Sequence, residues 1–250
     1  MALMRTSNPA LNPKTFADVR HDPNASPMTI EGTVNKTALL LFLVVVPAAW
    51  VWTQVRAAAD TAVAGPWILL GALGGFAVAV ATIIKKEWSP VTAPIYAALE
   101  GLALGGVSVM LEAKYPGIAM QSVGLTFATL AAMLVAYRTG LIKATEKFKL
   151  GVVAATGAIV IYYVVGFIMS FFGATMPFVQ GNSTASIVVS GVIVMVAALN
   201  LILDFDFIET GVQSGAPKYF EWYGAFGLMV TLVWLYLEIL RLLAKTRSRR

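Results

Sequence analysis

Seven long apolar runs follow the first 36 residues and decide what this chain can fold into. Each run has roughly 18 to 25 residues, enough to cross the ~30 Å hydrocarbon layer of a bilayer as a helix. Short polar or Gly/Pro-containing links separate the runs and leave no room for a soluble domain between them. The sequence therefore predicts an all-α membrane protein with a seven-transmembrane helix bundle. The predicted spans are 37–55, 66–84, 91–111, 118–137, 151–172, 186–203 and 222–244.

Composition supports this class and excludes several others. The chain is 58% hydrophobic and only 12% charged, too little charge for the surface of a soluble domain of 250 residues. The net charge of +5 does not indicate nucleic-acid binding, because the basic residues are spread over the links and the C-terminus. The chain has no cysteine, and its one histidine, His21, lies in the polar N-terminal region. We therefore expect the lipid bilayer as a partner, and no cofactor.

Residues 1–36 are polar and are interrupted by four prolines: Pro9, Pro13, Pro23 and Pro27. This composition predicts a short, disordered N-terminal tail ahead of a transmembrane domain that comprises residues 37–250. The first apolar run begins too late and is too long for an ordinary cleavable signal peptide. We therefore expect that run to remain in the protein as the first membrane helix.

Lysine and arginine predict the orientation, because they accumulate in cytoplasmic links. They cluster before the first run and after the second and fourth, which predicts a cytoplasmic N-terminus in the cytoplasmic membrane. Seven spans would export the basic C-terminal tail, so the last run is either a seventh span or a re-entrant, partly inserted segment; we favour seven spans. The basic residues used are Arg5, Lys14, Arg20, Lys36, Lys85, Lys86, Arg138, Lys143, Lys147 and Lys149.

Two spans carry glycines four residues apart, Gly71 with Gly75 and Gly101 with Gly105. Small residues at this spacing allow two helix backbones to approach closely in a membrane. We expect these glycines to pack helices within one bundle rather than to form a dimer interface.

Three carboxylates lie in or at the edge of the apolar runs. Asp204 ends the sixth run and Glu238 lies deep in the seventh. Glu100 is about ten residues into the third run, hence roughly 15 Å deep. Ionisable groups inside a membrane are costly and often mark function. Each carboxylate is therefore a candidate site residue, although a neutral Glu100 bonded to a neighbouring helix would serve a purely structural role equally well.

Residues close in sequence to Asp204 and Glu238 suggest further site residues and an alternative role for Glu238. Asn200 precedes Asp204 by one helical turn and could share its face, either on an ion path or as an interhelical hydrogen-bonding group. Asp206 points about 200° away from Asp204, so it fits an acidic edge at the membrane interface. Arg241 follows Glu238 by three residues, and an intrahelical ion pair is the alternative explanation for that acid.

Residues 37–250 resemble the Bax inhibitor family of membrane proteins, which includes YccA-type and TMBIM-type members. The resemblance rests on Leu203-Asp-Phe-Asp-Phe-Ile at the end of span six, Leu235-Tyr-Leu-Glu-Ile-Leu-Arg-Leu-Leu in span seven, and the seven-span plan. Residues 4–10 and Leu99-Glu-Gly-Leu-Ala-Leu-Gly are similar to a bacterial subgroup.

The resemblance implies a pH-sensitive calcium leak channel. In such proteins two acids on the last two helices share a proton and control opening, and Asp204 and Glu238 occupy the matching positions. The same two acids would bind the transported calcium weakly, because calcium accepts irregular oxygen ligands. A basic residue near the end of the second helix pairs with the span-six acid in the family, a role open here to Lys85 or Lys86. Glu238 stands where family members commonly have aspartate.

Two other functions remain open from the sequence. One is a non-conducting regulator that binds a membrane protease or another membrane protein, since YccA-type relatives resemble inhibitors of a membrane-bound protease and the tail would suit that role. The other is a proton-coupled transporter of a small solute. We do not expect an enzyme, because the sequence contains no nucleophile–base set, phosphate-binding loop or metal motif.

Overall fold

The computed structural model describes residues 26–173, 181 and 183–249. In this part of the chain, seven helices are long and apolar enough to cross a membrane, which confirms the predicted fold class. Two 3-10 turns, Thr61–Val63 and Lys86–Trp88, lie in the first two links between helices. The seven helices are α1 Ile30–Ala58, α2 Ala64–Ile84, α3 Ser89–Lys114, α4 Ile118–Arg138, α5 Glu146–Phe171, α6 Thr184–Gln213 and α7 Phe220–Arg247.

Helix α1 begins before the predicted first span. Thr29 caps it, because its Oγ1 accepts a hydrogen bond of 2.9 Å from the Gly32 backbone N–H. Residues 30–36, which the sequence analysis assigned to the tail, are therefore the first turns of α1. The other part of the predicted tail, up to residue 25, lies outside the described residues.

Helix α7 is the centre of the bundle and packs against α1, α3, α4 and α6. Its aromatic side chains Phe220, Tyr223 and Phe226 are fully buried. Phe226 meets Tyr96 of α3 edge to face, with ring centroids 5.0 Å apart. The last apolar run is thus one continuous helix of 28 residues rather than a re-entrant segment.

The predicted glycine contacts are confirmed within the bundle. A Cβ at Gly71 of α2 would lie 2.4 Å from the Leu99 carbonyl oxygen of α3, and one at Gly101 of α3 would lie 2.4 Å from that of Val44 in α1. No side chain fits at such distances, so α3 packs between α1 and α2 by backbone-to-backbone contact.

The two ends of the bundle are tied by the segments that flank α1 and α7. At the end that contains Ile30, called the N-terminal end below, the Met28 backbone N–H donates to the Ala216 carbonyl at 2.7 Å. At the opposite end, called the C-terminal end, the Arg247 guanidinium donates to the Pro116 carbonyl at 2.7 Å and to Gln121 Oε1 at 2.9 Å. Both ends of α7 are therefore fixed to neighbouring parts of the bundle.

Candidate functional site

Two polar contacts join α5 to α6. The Lys149 ammonium forms an ion pair with the Asp206 carboxylate at 2.6 Å, and the Asn200 amide donates to Thr156 Oγ1 at 2.9 Å. Lys149 and Asn200 are both buried. Since numbers rise along α5 as they fall along α6, the two helices are antiparallel. Asp206, predicted to lie on an acidic edge at the membrane interface, is bonded to a neighbouring helix.

Glu238 of α7 is bonded to α5 as well as to its own helix. Its Oε1 accepts a hydrogen bond of 2.8 Å from Tyr163 Oη and forms an ion pair of 3.0 Å with Arg241. Arg241 also lies over the Tyr163 ring, 5.0 Å from its centroid. The intrahelical ion pair considered from the sequence is therefore present, and Tyr163 extends it to a second helix.

The three residues with which α5 makes these contacts are Lys149, Thr156 and Tyr163, spaced seven residues apart. Positions seven apart lie on nearly the same face of a helix, since two turns take about 7.2 residues. We call these three residues with their partners Asp206, Asn200, Glu238 and Arg241 the polar seam. The sequence analysis missed Thr156 and Tyr163, although two polar residues seven apart in the apolar run 151–172 were a visible signal.

Asp204 is fully buried on α6, beside Leu203 and near Phe207 of the same helix. Its neighbour by one turn, Asn200, is buried too. The sequence-based expectation that Asp204 is the acid taken into the bundle agrees with this placement, because Asp206 is less deeply buried. Asp204 therefore stands next to the polar seam, at the level between its two α6 members.

The contacts between α6 and α7 place Asp204 and Glu238 at different depths. Gly224 of α7 lies against Ile208 of α6, since a Cβ at the glycine would be 3.2 Å from Ile208 Cγ1. Asp204 precedes Ile208 by four residues on α6. Because α6 and α7 are antiparallel, the matching level on α7 is four residues after Gly224, at about Leu228. Glu238 is ten residues further on, which is about 15 Å along the helix axis.

The contacts of α5 lead to the same separation. Thr156 is level with Asn200, and Tyr163 is level with Glu238, because hydrogen bonds join each pair. Tyr163 lies about 10 Å further along α5 than Thr156, in the direction away from Asp204. Asn200 is itself about 6 Å from Asp204 in that direction, so the two axial distances add. The structure thus does not bring Asp204 and Glu238 together as one pair.

This separation bears on calcium binding. Calcium–oxygen bonds are about 2.3–2.6 Å long, so two ligating carboxylates lie within roughly 5 Å of each other. Asp204 and Glu238 cannot bind the same calcium ion in this conformation. The described residues also contain no group of three or more His, Cys, Asp or Glu that could hold a metal.

The other predicted site residues lie elsewhere in the bundle. Glu100 of α3 packs over Gly75 of α2, where a Cβ would be 2.7 Å from its Oε1, and is hydrogen-bonded to Tyr96. Lys85 is exposed at the end of α2, with its ammonium 4.6 Å from the centroid of the Trp88 ring. Lys86 opens the 3-10 turn that follows.

The position of this turn separates the Lys85 backbone from Asp204. Ser89, which follows the turn, donates from Oγ to the Tyr219 carbonyl at 3.0 Å, just before α7 begins. Tyr219 is nine residues, or about 13 Å, from Leu228, the level of Asp204. The backbone of the turn lies at the N-terminal end of the bundle, so the structure does not show the predicted pairing of Lys85 with Asp204.

Glu221 is a buried carboxylate that the sequence analysis did not select. On the first turn of α7, it accepts hydrogen bonds of 2.9 Å from both the backbone N–H and the Oγ1 of Thr29, and it pairs with Lys218 at 3.0 Å and with Lys36. Gly32 covers it so closely that any Cβ there would meet the carboxylate. It was missed because it belongs to a polar link, where an acid is expected to face water.

Seven apolar helices with α7 at their centre, together with buried carboxylates and a polar seam, define a multi-pass helical membrane protein. The family model described as Bax inhibitor 1 like matches residues 8–248. The chain therefore belongs to the Bax inhibitor 1 like family, as its resemblance implied. No curated protein and no solved structure gives a significant match.

Proposed function

We propose that this protein is a pH-sensitive calcium leak channel of the cytoplasmic membrane, not an enzyme, and that cations cross it along the polar seam. The observation that carries the proposal is the series of polar contacts from Lys149–Asp206 through Asn200 to Glu238. Polar and charged side chains inside a membrane bundle are costly and typically mark an ion or proton path.

The proposal assigns separate roles to the two acids. Asp204 lies next to the seam, in the half of the bundle nearer the N-terminal end, and supplies a carboxylate for a passing cation. Glu238 lies about 15 Å away, where it ties α5 to α7 through Tyr163. Weak binding at successive positions suits a leak, because each ion must be released as readily as it is bound.

Protonation of Glu238 is the proposed opening step. A neutral carboxyl group no longer attracts Arg241, and it loses the charge-assisted hydrogen bond from Tyr163. Only Lys149 and Val152 of α5 are buried, so few apolar contacts hold this helix in place once the tie weakens. Acidification should therefore release α5 and increase the leak.

The test is calcium influx into liposomes that contain a calcium dye, measured between about pH 5 and pH 8, the range in which physiological pH switches operate. We expect wild-type influx to rise with acidity, Glu238→Gln to leak at every pH, and Asp204→Asn to leak less than wild type. Glu31→Gln, which changes an exposed acid at the start of α1, is the matched control and should behave as wild type.

Three results would contradict the proposal. Influx no greater than in empty liposomes, with folded protein, would exclude a channel and favour the non-conducting regulator of a membrane protease. Saturable uptake of another solute would favour the proton-coupled transporter. A pH profile unchanged by both substitutions would exclude Asp204 and Glu238 as the site.

A further inference from the structure

A cavity of about 540 Å³ lies between α1, α3, α4 and α7, on the side of α7 that borders α1 and α4. We call it the lateral slot. Its floor on α7 is formed by the buried side chains Met229, Leu232 and Val233. Its rim includes the exposed apolar side chains Val45 of α1 and Met120 of α4. A cavity of this size is within the range of sites for small molecules, about 300–1,000 Å³.

The polar residues that line the slot are already bonded within the protein. Ser108 Oγ donates to the Leu104 carbonyl and shares a hydrogen bond of 2.6 Å with Tyr236 Oη. Thr53 and Thr126 each donate to a backbone carbonyl of their own helix, at 2.7 and 2.8 Å. The slot therefore suits hydrocarbon, because it leaves few polar groups for a ligand to bond.

The remaining polar lining residue lies near the C-terminal end of the bundle. Glu112 accepts hydrogen bonds from the backbone N–H groups of Gly117 at 2.6 Å and Ala119 at 3.0 Å. Its carboxylate thus fixes the start of α4 rather than standing free in the slot.

The length and direction of the slot fit one lipid chain. Along α1 the lining residues run from Leu41 to Thr53, twelve residues or about 18 Å. One leaflet of the hydrocarbon layer is about 15 Å deep, half of the full ~30 Å. The slot therefore runs from the middle of the membrane to the level where Trp52 and Thr53 approach the C-terminal end of the bundle.

A cation stands where the head group of such a lipid would lie. Arg56 follows Thr53 by one helical turn, is exposed, and has its guanidinium 5.6 Å from the centroid of the Trp52 ring. Arginine is well suited to bind phosphate oxygens. We infer that the lateral slot binds one acyl chain of a membrane phospholipid, with the phosphate of that lipid beside Arg56. This site is independent of the proposed ion path.

The test uses a phospholipid that carries a photoreactive diazirine in its acyl chain, reconstituted with the full-length protein and followed by mass spectrometry of labelled peptides. Lipids around the protein cannot reach Met229 or Leu232, since both are buried on α7. We expect labels on this α7 segment in the wild type. Labels on the outer face of α5, for example at Phe167, measure contact with surrounding lipid and normalise the signal.

Two matched substitutions decide whether the slot is the site. Ala49→Phe fills the slot from α1, and we expect it to reduce α7 labelling at least 5-fold, a loss of about 1 kcal/mol in occupancy. Ala77→Phe adds the same side chain to an exposed position of α2 outside the slot and should leave labelling unchanged. If Ala49→Phe does not fold, Val123→Phe fills the slot from α4 instead.

The phosphate contact is tested by Arg56→Gln, which should lower α7 labelling about 3-fold without abolishing it, because the chain keeps its slot. Labels confined to outward-facing residues in the wild type would overturn the proposal. Equal α7 labelling in the wild type and in the slot-filling variants would overturn it as well.

Discussion

Helix α7 lies in the interior of the bundle and α5 at its periphery, although both are apolar enough to span a membrane. In the most apolar stretch of α7, 67% of residues are buried, against 6% in α5, yet α5 has the higher mean hydropathy, 2.2 against 1.8. A bilayer reverses the rule for soluble proteins, because lipid is as apolar as any protein core. The interior helix can therefore carry buried acids such as Glu221 and Glu238, while α5 exposes mainly aliphatic and aromatic side chains.

The two helices are also held differently. Helix α7 is held by close packing of Phe220, Tyr223 and Phe226, whereas α5 meets its neighbours largely through Lys149, Thr156 and Tyr163. Close packing depends on shape and is insensitive to pH. A helix held through polar groups responds to their charge, so α5 is the part of the bundle that we expect to move.

The largest effect is expected at the centre of α7. Phe226→Ala removes a fully buried ring and its edge-to-face contact with Tyr96, and should lower the free energy of unfolding by about 3 kcal/mol. Reversible unfolding in mixed micelles measures it. A loss below about 1 kcal/mol would show that α7 is not packed as a core helix.

The next effect is expected at the first turn of α7. Glu221→Gln leaves Lys36 and Lys218 without their ionic partner, and should cost about 2 kcal/mol, less than a fully buried pair because Lys218 is half exposed. The same unfolding assay applies, with Glu31→Gln as the control at an exposed acid. Equal stability of the two variants would show that the buried ion pairs do not stabilise this end.

A smaller effect is expected in the polar seam. Tyr163→Phe removes the hydrogen bond to Glu238 and should cost about 1 kcal/mol, mainly by loosening α5. Because the chain has no cysteine, Val160→Cys provides a unique spin-label position on the outer face of α5. We expect the label to become more mobile in the Tyr163→Phe background, while one placed on α7 does not change.

The smallest effect is expected on the lipid-facing side of α5. Phe167 is 65% exposed, and Phe167→Ala should change stability by no more than about 0.5 kcal/mol. The difference in stability loss between Phe226→Ala and Phe167→Ala then measures how much packing against protein contributes beyond contact with lipid. A loss similar to that of Phe226→Ala would mean that another surface covers α5.

Sequence patterns were sufficient for the helices but not for their register. The length of an apolar run decides that a span exists, whatever its neighbours. Glycine spacing correctly predicted close packing within the bundle, as the structure shows where Gly101 meets Val44. The relative depth of Asp204 and Glu238 depends on where the link between α6 and α7 turns, and no local pattern records that. Glu221 was missed for the same reason, since its burial results from contact with a distant segment around Thr29.

The tie between Met28 and Ala216, reinforced by Glu221, has a mechanical consequence. Tension on the chain ahead of Pro27 does not reach α1 alone, because the segment from Pro27 to Thr29 is fastened to the link that leads into α7. A partner that pulled on the N-terminal segment would therefore load the central helix directly. Residues 27–29 thus connect the segment ahead of α1 to α7, the helix at the centre of the bundle.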